Sequence, residues 1–221
     1  MATLRTPSPA AAAPRGRKAA AAPTPGRQRR PTAGTDEKRE RILQLAQALF
    51  HEHGYAKTTM AMIVAALGVS KPYVYYYFKD KQQIFEWLSW RAAVACFTVF
   101  DAPADDPRPA HQQVAEGLAA LIERTVQHHP AAFFALREPQ AFRPEMRLAQ
   151  RRLTHHFQDQ LKGLLEQGRR EGRLHFEDSQ LAARALCSLP GFLFTWYEPE
   201  GRLPPAEVVR QLTRLAWKLV K

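Results

Sequence analysis

Residues 58–81 read TTMAMIVAALGVSKPYVYYYFKDK, and their spacing predicts two short helices joined by a tight turn. Ile63, Val64 and Leu67 fall on one face at helical spacing. Thr58 is the expected N-cap of the first helix, since its side-chain oxygen can accept a free backbone N–H. Gly68 ends that helix, because a left-handed residue meets no steric penalty at glycine, and Val69 plugs the angle between the helices. Ser70 caps the second helix, and Pro72 sits just inside its first turn, where a missing N–H does no harm. A helix, a Gly-containing turn and a second capped helix make a helix-turn-helix.

The second helix is about two turns long, and its side chains suit DNA. Lys71, Tyr73, Tyr75, Tyr76 and Tyr77 crowd it, and Lys79 and Lys81 follow. A helix that enters the major groove needs donors for phosphate oxygens and base edges. Tyr hydroxyls and Lys ammonium groups supply them, while Pro72 and the Tyr rings can lie against thymine methyls.

The run GVSKPYVYYYFKDK, together with RILQLAQALFHEHGYAKTT upstream of it, resembles the first helix, Gly-Tyr turn and helix-turn-helix of the TetR family. The resemblance covers roughly residues 38–90. It implies a homodimeric, all-helical transcriptional regulator with a small-molecule pocket in its C-terminal domain. By matched position, Thr58 and Thr59 would touch phosphate. Ser70, Lys71, Pro72 and Tyr73 would stand at the groove, and Tyr75 and Tyr76 at backbone and base edges. Lys79 completes this set, and Lys81 would bind a flanking phosphate. Two departures from the family pattern stand out: Tyr73 replaces a small residue, and Met60, Met62, Ala65 and Ala66 replace charged ones.

Upstream, a helix is expected from about Thr35 to His53, with Asp36 and Glu37 at the positive end of its dipole. Ile42, Leu45, Ala46, Leu49 and Phe50 form one apolar stripe, and Gly54 stops it. Residues 1–35 hold seven Lys/Arg, six prolines and no acid. With almost nothing large to bury, they read as a disordered basic arm. It is either a solubilising tail or a strap along DNA phosphates. Most of the formal net charge of +11 lies there. The expected domains are therefore this arm (1–35), a DNA-binding unit (36–80) and a ligand-binding and dimerisation unit (81–221).

Downstream, Asp80 caps a fourth helix in which Ile84, Phe85, Leu88, Ala92, Ala95 and Val99 keep apolar spacing to about residue 100. That helix is long enough to leave the DNA-binding unit, and it is the expected mechanical link. After the breaker DAPADDPRP at 101–109, helical patterns recur at about 110–128, 130–138, 144–171, 178–197 and 204–220. Nothing alternates with strand period, so the fold is expected to be all-α: an N-terminal three-helix unit plus a C-terminal helical bundle. Pro190-Gly191 should kink the fourth of these helices. Leu186, Leu189, Leu193, Leu212, Leu215 and Leu219 on the last two are the expected dimer interface. The competing reading packs these faces inside one subunit. Dimerisation is favoured because one helix-turn-helix reads too few bases to be selective.

Cys96 and Cys187 form no disulfide framework or metal knuckle. The pairs His51/His53, His128/His129 and His155/His156 lack the spacing and partners of a metal site. Neither a nucleophile elbow nor a phosphate-cradling or dinucleotide-binding glycine motif occurs, and no apolar run is long enough to span a membrane. We expect no catalytic residues, no metal and no cofactor, and a cytoplasmic, nucleoid-associated bacterial protein. Its partners would be double-stranded DNA with a palindromic operator, a second copy of the chain and a small effector. Phe97, Phe133, Phe134, Phe157, Phe192 and Trp196 are pocket candidates, with a place in the helical core as the competing reading of each. The segment WYEPEGRLPPAEVV at 196–209 resembles TetR regulators of fatty-acid and acyl-thioester metabolism. An acidic, fatty-acid-like or acyl-CoA effector could use Arg137, Arg143, Arg147, Arg151 or Arg152; the competing reading is that these arginines are a solvated face. The rival reading is a ligand-independent DNA-bound adaptor that recruits a protein.

Overall fold

The computed structural model describes residues 33–101 and 106–221, so residues 1–32 of the arm expected over 1–35 lie outside the described residues, and its last three residues belong to the first helix. The helices are α1 (Ala33–Lys57), α2 (Met60–Leu67), α3 (Lys71–Tyr77), α4 (Lys81–Phe97), α5 (Ala110–Gln127), α6 (Phe134–Arg137), α7 (Pro144–Arg170), α8 (Ser179–Gly191) and α9 (Pro205–Lys218). Short 3-10 turns cover Ala131–Phe133, Pro139–Ala141 and Phe192–Thr195. Among the described residues there is no strand. The fold is all-α.

Two features differ from the local reading. The chain resumes helical turns after Gly54, whose φ of +76° breaks the first helix without ending it. That extra turn moves the cap of α2 by one residue. Thr59 is the N-cap, its Oγ1 accepting from the Met62 N–H at 3.2 Å. Thr58 instead is fully buried and donates its hydroxyl back to the carbonyls of Gly54 (2.8 Å) and Leu49 (3.1 Å). At the other end of the chain, Pro190 sits in the last turn of α8, which then tightens into the 3-10 turn Phe192–Thr195. The expected kink is a change of helix type. Gly68 ends α2 in the left-handed region with φ +65°, as glycine there permits.

The core divides along α4. Its first half, with Ile84, Phe85 and Leu88, joins Ile42, Leu43 and Phe50 of α1, Ile63 and Leu67 of α2, and Val74 and Phe78 around α3. The segment 131–142 also docks here, Phe134 stacking on Phe85 with centroids 4.5 Å apart and Phe142 tilted against the same ring at 5.2 Å. The second half of α4, with Cys96 and Phe100 just beyond it, packs with Val114, Leu118 and Leu121 of α5, Phe157 and Leu161 of α7, and Leu186 of α8. Each such large apolar side chain taken out of water contributes roughly 1.5–3 kcal/mol. One rigid helix is thus a wall of both cores.

Polar contacts fix the start of α4. Asp80 accepts from the Gln83 N–H at 2.7 Å, and Gln83 Oε1 accepts in return from the Lys79 N–H at 2.7 Å. Trp87 lies between the guanidinium groups of Arg39 (4.6 Å) and Arg91 (5.1 Å), and Arg91 pairs with Glu40 at 2.6 Å. These contacts tie α4 to α1.

Candidate DNA interface and effector cavity

α3 presents two faces of unlike chemistry. Val74 is buried beneath it, with Phe78 just past its end. Lys71, Pro72, Tyr75, Tyr76 and Lys79 face solvent, and the Tyr76 ring is 78% exposed. The Lys71 ammonium lies 5.6 Å from the Tyr75 ring centroid. Thr59 and Ser70 are also exposed, and Ser70 uses no side-chain oxygen in capping. Tyr73 is half-buried and holds Tyr77 at 5.4 Å, which in turn meets Tyr76 edge-on at 5.0 Å. Burial, then the neighbouring phenols Tyr73 and Tyr76, push the Tyr77 hydroxyl above its ordinary value, so it remains a neutral donor.

Two residues of the expected DNA-binding set have other partners. Thr58 is fully buried and cannot reach a phosphate; its hydroxyl holds the end of α1. The Lys81 ammonium donates to the carbonyls of Tyr55 (2.8 Å), Ala56 (3.3 Å) and Thr58 (2.9 Å), and lies 4.4 Å from the Tyr55 ring centroid. All three of its N–H donors are engaged, so it anchors α4 to the α1–α2 connection. Lys38 and Arg41 of α1 border a shallow hollow beside Tyr73, together with Gln44 and the acids Glu37 and Glu40. In the sequence these two cations belong to the charged face of α1 opposite its apolar stripe, which carries Glu37 and Glu40 as well as Lys38 and Arg41.

Behind the DNA-binding unit, a cavity of about 380 Å³ opens between α4, α5, α7 and α8. Ser89, Ala92, Ala93 and Cys96 of α4 form one wall, and Phe97, Phe133 and Phe192 also line it. Phe134, Phe157 and Trp196 do not. Phe134 is committed to Phe85, Phe157 is sealed between Phe97 and Phe100, and Trp196 is 56% exposed. Its few polar groups have partners: Gln150 donates to Ser89 Oγ (3.0 Å), Thr154 to the Gln150 carbonyl (3.0 Å) and Thr125 to the Leu121 carbonyl (2.7 Å). Burial pushes the Cys96 thiol up to about 11 and raises Cys187 as well, so both present neutral sulfur. Among the described residues no charged side chain lines this cavity. Its volume is near the small end of the ~300–1,000 Å³ typical of ligand sites.

The six leucines of the last two helices separate. Leu186 and Leu193 are fully buried within the subunit, and Leu189 and Leu212 are half-buried in the same cores. Leu215 and Leu219 are more than half exposed, together with Leu181, Phe192 and Trp196. Among the described residues no group of three or more His, Cys, Asp or Glu could hold a metal ion, and no helix is long and apolar enough to cross a membrane.

Comparison with known proteins agrees with this arrangement. The profile described as "Bacterial regulatory proteins, tetR family" matches residues 42–88, and "Tetracyclin repressor-like, C-terminal domain" matches residues 107–220. The HTH-type transcriptional repressor BepR of Brucella suis is 31% identical over 180 residues, covering 78% of this chain and 86% of that protein. The crystal structure of the TetR-family regulator PfmR from Thermus thermophilus aligns with a TM-score of 0.71 at 26% identity, over 80% of this chain and 97% of that one. AibR, crystallised with isovaleryl coenzyme A and operator DNA, shares the fold with a TM-score of 0.63 at 18% identity, over 81% and 98% of the two chains. The chain belongs to the tetR family of bacterial regulatory proteins and is a DNA-binding transcriptional regulator.

Proposed function

We propose that the chain is a homodimeric repressor that holds a two-fold-symmetric operator through α3 and is released when a small, largely apolar molecule enters the cavity behind α4. The observation that carries this reading is the double role of α4. Ser89, Ala92, Ala93 and Cys96 wall the cavity, while Lys81 at the start of the same helix grips the connection leading into the helix-turn-helix. A ligand that needs more room than the cavity gives favours a displaced α4, and so a changed spacing of the two α3 helices. Two half-sites about 34–36 Å apart then cannot be engaged together. This is differential binding to two states, and the coupling is reciprocal.

On this reading residues 36–80 bind DNA and residues 81–221 bind effector and partner. The groove contacts are Lys71, Pro72, Tyr75 and Tyr76. Thr59, Ser70, Lys79, Lys38 and Arg41 meet phosphates, and Tyr73 positions Tyr77 and Tyr76. The partner chain covers Leu181, Phe192, Trp196, Leu215 and Leu219, whose exposure on α8, the following turn and α9 is the apolar area that a second copy would bury. A basic arm before residue 36 would add phosphate contacts, each steepening the log–log salt dependence by about 0.9. BepR is named a repressor, and AibR was solved with an acyl-coenzyme A and operator DNA. Those names support, for this chain, release by an acyl or fatty-acid-like effector and a cytoplasmic site of action at the nucleoid.

Footprinting on the DNA flanking the gene, followed by addition of metabolites, tests the proposal. A two-fold-symmetric footprint lifted by one compound class is expected. A footprint that no metabolite disturbs would instead favour an adaptor that recruits a protein.

A further inference from the structure

We infer that the effector is an amphiphilic anion, with its apolar tail in the cavity behind α4 and its negatively charged head on Arg147 and Arg151 of α7. This rests on the reading of that cavity as the effector site and adds the chemistry of what fills it. Among the described residues, the chamber of about 380 Å³ is lined without a single charged side chain, and its hydroxyls already have partners. An apolar group is therefore what it can take up without desolvating a charge.

Beside it lies a second hollow of about 300 Å³, and the two share Ala135, Gln150 and Thr154 in their walls. This second hollow is basic. Arg147, Arg151 and His155 stand one helical turn apart along α7, and each borders it. Among the described residues none of the three has a carboxylate within ion-pair distance, although Glu145 and Asp159 lie on the same helix. Arg147 gives one N–H to the Phe142 carbonyl at 3.1 Å and keeps the rest of its fork. The other arginines suggested by the sequence are committed or lie elsewhere. Arg137 donates to the Phe194 carbonyl at 2.9 Å, Arg143 is paired with Asp80 and Glu86, and Arg152 borders neither hollow. A planar guanidinium fork fits a carboxylate or a phosphate equally well. Their common feature, an oxyanion at the end of an apolar chain, is what the two hollows together require.

Calorimetric titration of the full-length protein with decanoate and decyl phosphate below their micelle thresholds, and with 1-decanol below its solubility limit, separates the possibilities. Both anions, or one of them, should bind at least ten-fold tighter than decanol; the tighter anion identifies carboxylate or phosphate as the natural head. The double variant Arg147→Gln/Arg151→Gln should bring the anions to the affinity of decanol and leave decanol unchanged. Equal binding of decanol and both anions by the unaltered protein overturns the anionic subsite alone, as does an undiminished preference in the double variant. Ala93→Trp, which fills the chamber, should abolish all binding. Binding that survives it, or no binding by any of the three to the unaltered protein, overturns the cavity reading and the proposal with it.

Discussion

The guanidinium of Arg143 pairs with the carboxylate of Glu86, and the Arg143 backbone N–H donates to the same carboxylate at 2.6 Å. A second arm of the guanidinium reaches Asp80 at 2.8 Å. Glu86 is 6% exposed on α4, Asp80 caps that helix, and Arg143 is the N-cap of α7, which carries Gln150 and Thr154 to the cavity. The clamp therefore joins the start of α7 to the end of α4 nearest the helix-turn-helix. Arg143→Ala leaves a buried carboxylate without its cation. It should destabilise the protein by about 1–3 kcal/mol, toward the lower end because Arg143 itself is partly open to water. Effector-driven release should weaken more than operator affinity. An unchanged Tm with full induction would show that the clamp transmits nothing.

Lys79 and Lys81 are two residues apart and should respond in opposite ways. Lys81→Met removes three charge-assisted hydrogen bonds to the α1–α2 connection and should lower stability by about 1.5–3 kcal/mol in chemical denaturation. Lys79→Met removes an exposed ammonium and should leave stability within about 0.5 kcal/mol. If that ammonium meets a phosphate, the log–log salt slope of operator binding falls by about 0.9 per chain. A Lys81 variant with wild-type stability and a reduced salt slope would return that residue to the phosphate role the sequence suggests.

Tyr75→Ala and Tyr76→Ala should weaken operator binding while the dimer and the Tm persist, since neither ring is buried in the subunit. Loss of two or more kilocalories per mole of stability in either would place that ring in the core instead.

Gly117 packs against a ring. A Cβ built there would lie 1.9 Å from Phe100 Cε1, and Phe100 is buried. Gly117→Ala should therefore destabilise by about 1–3 kcal/mol despite the better helix propensity of alanine, because Phe100 must leave its place against Phe157. Adding Phe100→Leu should restore part of the loss.

The helix-turn-helix was legible because its signals are local: an apolar stripe, Gly68, Pro72 and a run of tyrosines within 24 residues. What failed depended on contacts distant in sequence or on empty space. Two adjacent threonines can both cap a helix, and the turn that α1 adds after Gly54 selects Thr59. Lys81 reads as a free cation at a helix start, yet its partners lie 23 to 26 residues earlier. The aromatic residues Phe134 and Phe157 drew attention to the pocket because they are large. A cavity forms where side chains are small, and the real signal was Ser89, Ala92, Ala93 and Cys96 on one face of α4. On α8 and α9 the apolar residues cover two faces, and periodicity alone does not say that Leu186 and Leu193 turn inward while Leu181 and Leu215 turn out.

Acid should loosen the fold through His129. Its ring is boxed by His51 at 5.4 Å, Phe133 at 5.7 Å and Tyr197 at 5.2 Å, and its buried Nε2 has no hydrogen-bond partner among the described residues. Burial, then the charges of His51 and Arg137, depress it from 6.5 to about 4. The unfolded chain therefore takes up this proton near pH 6.5, while the folded one resists until about pH 4. The stability it supports is complete above pH 6.5 and declines as pH falls through that window. His128 adds a slope of the same sign, since burial and then Arg91 and Arg124 depress it too. Between pH 6.5 and 5 most carboxylates stay ionised, so the Tm decline there reports chiefly on histidine. His129→Gln should flatten that decline, and His128→Gln/His129→Gln should flatten it further. A wild-type slope in the single variant would show that His129 is protonated in the fold as readily as in the unfolded chain.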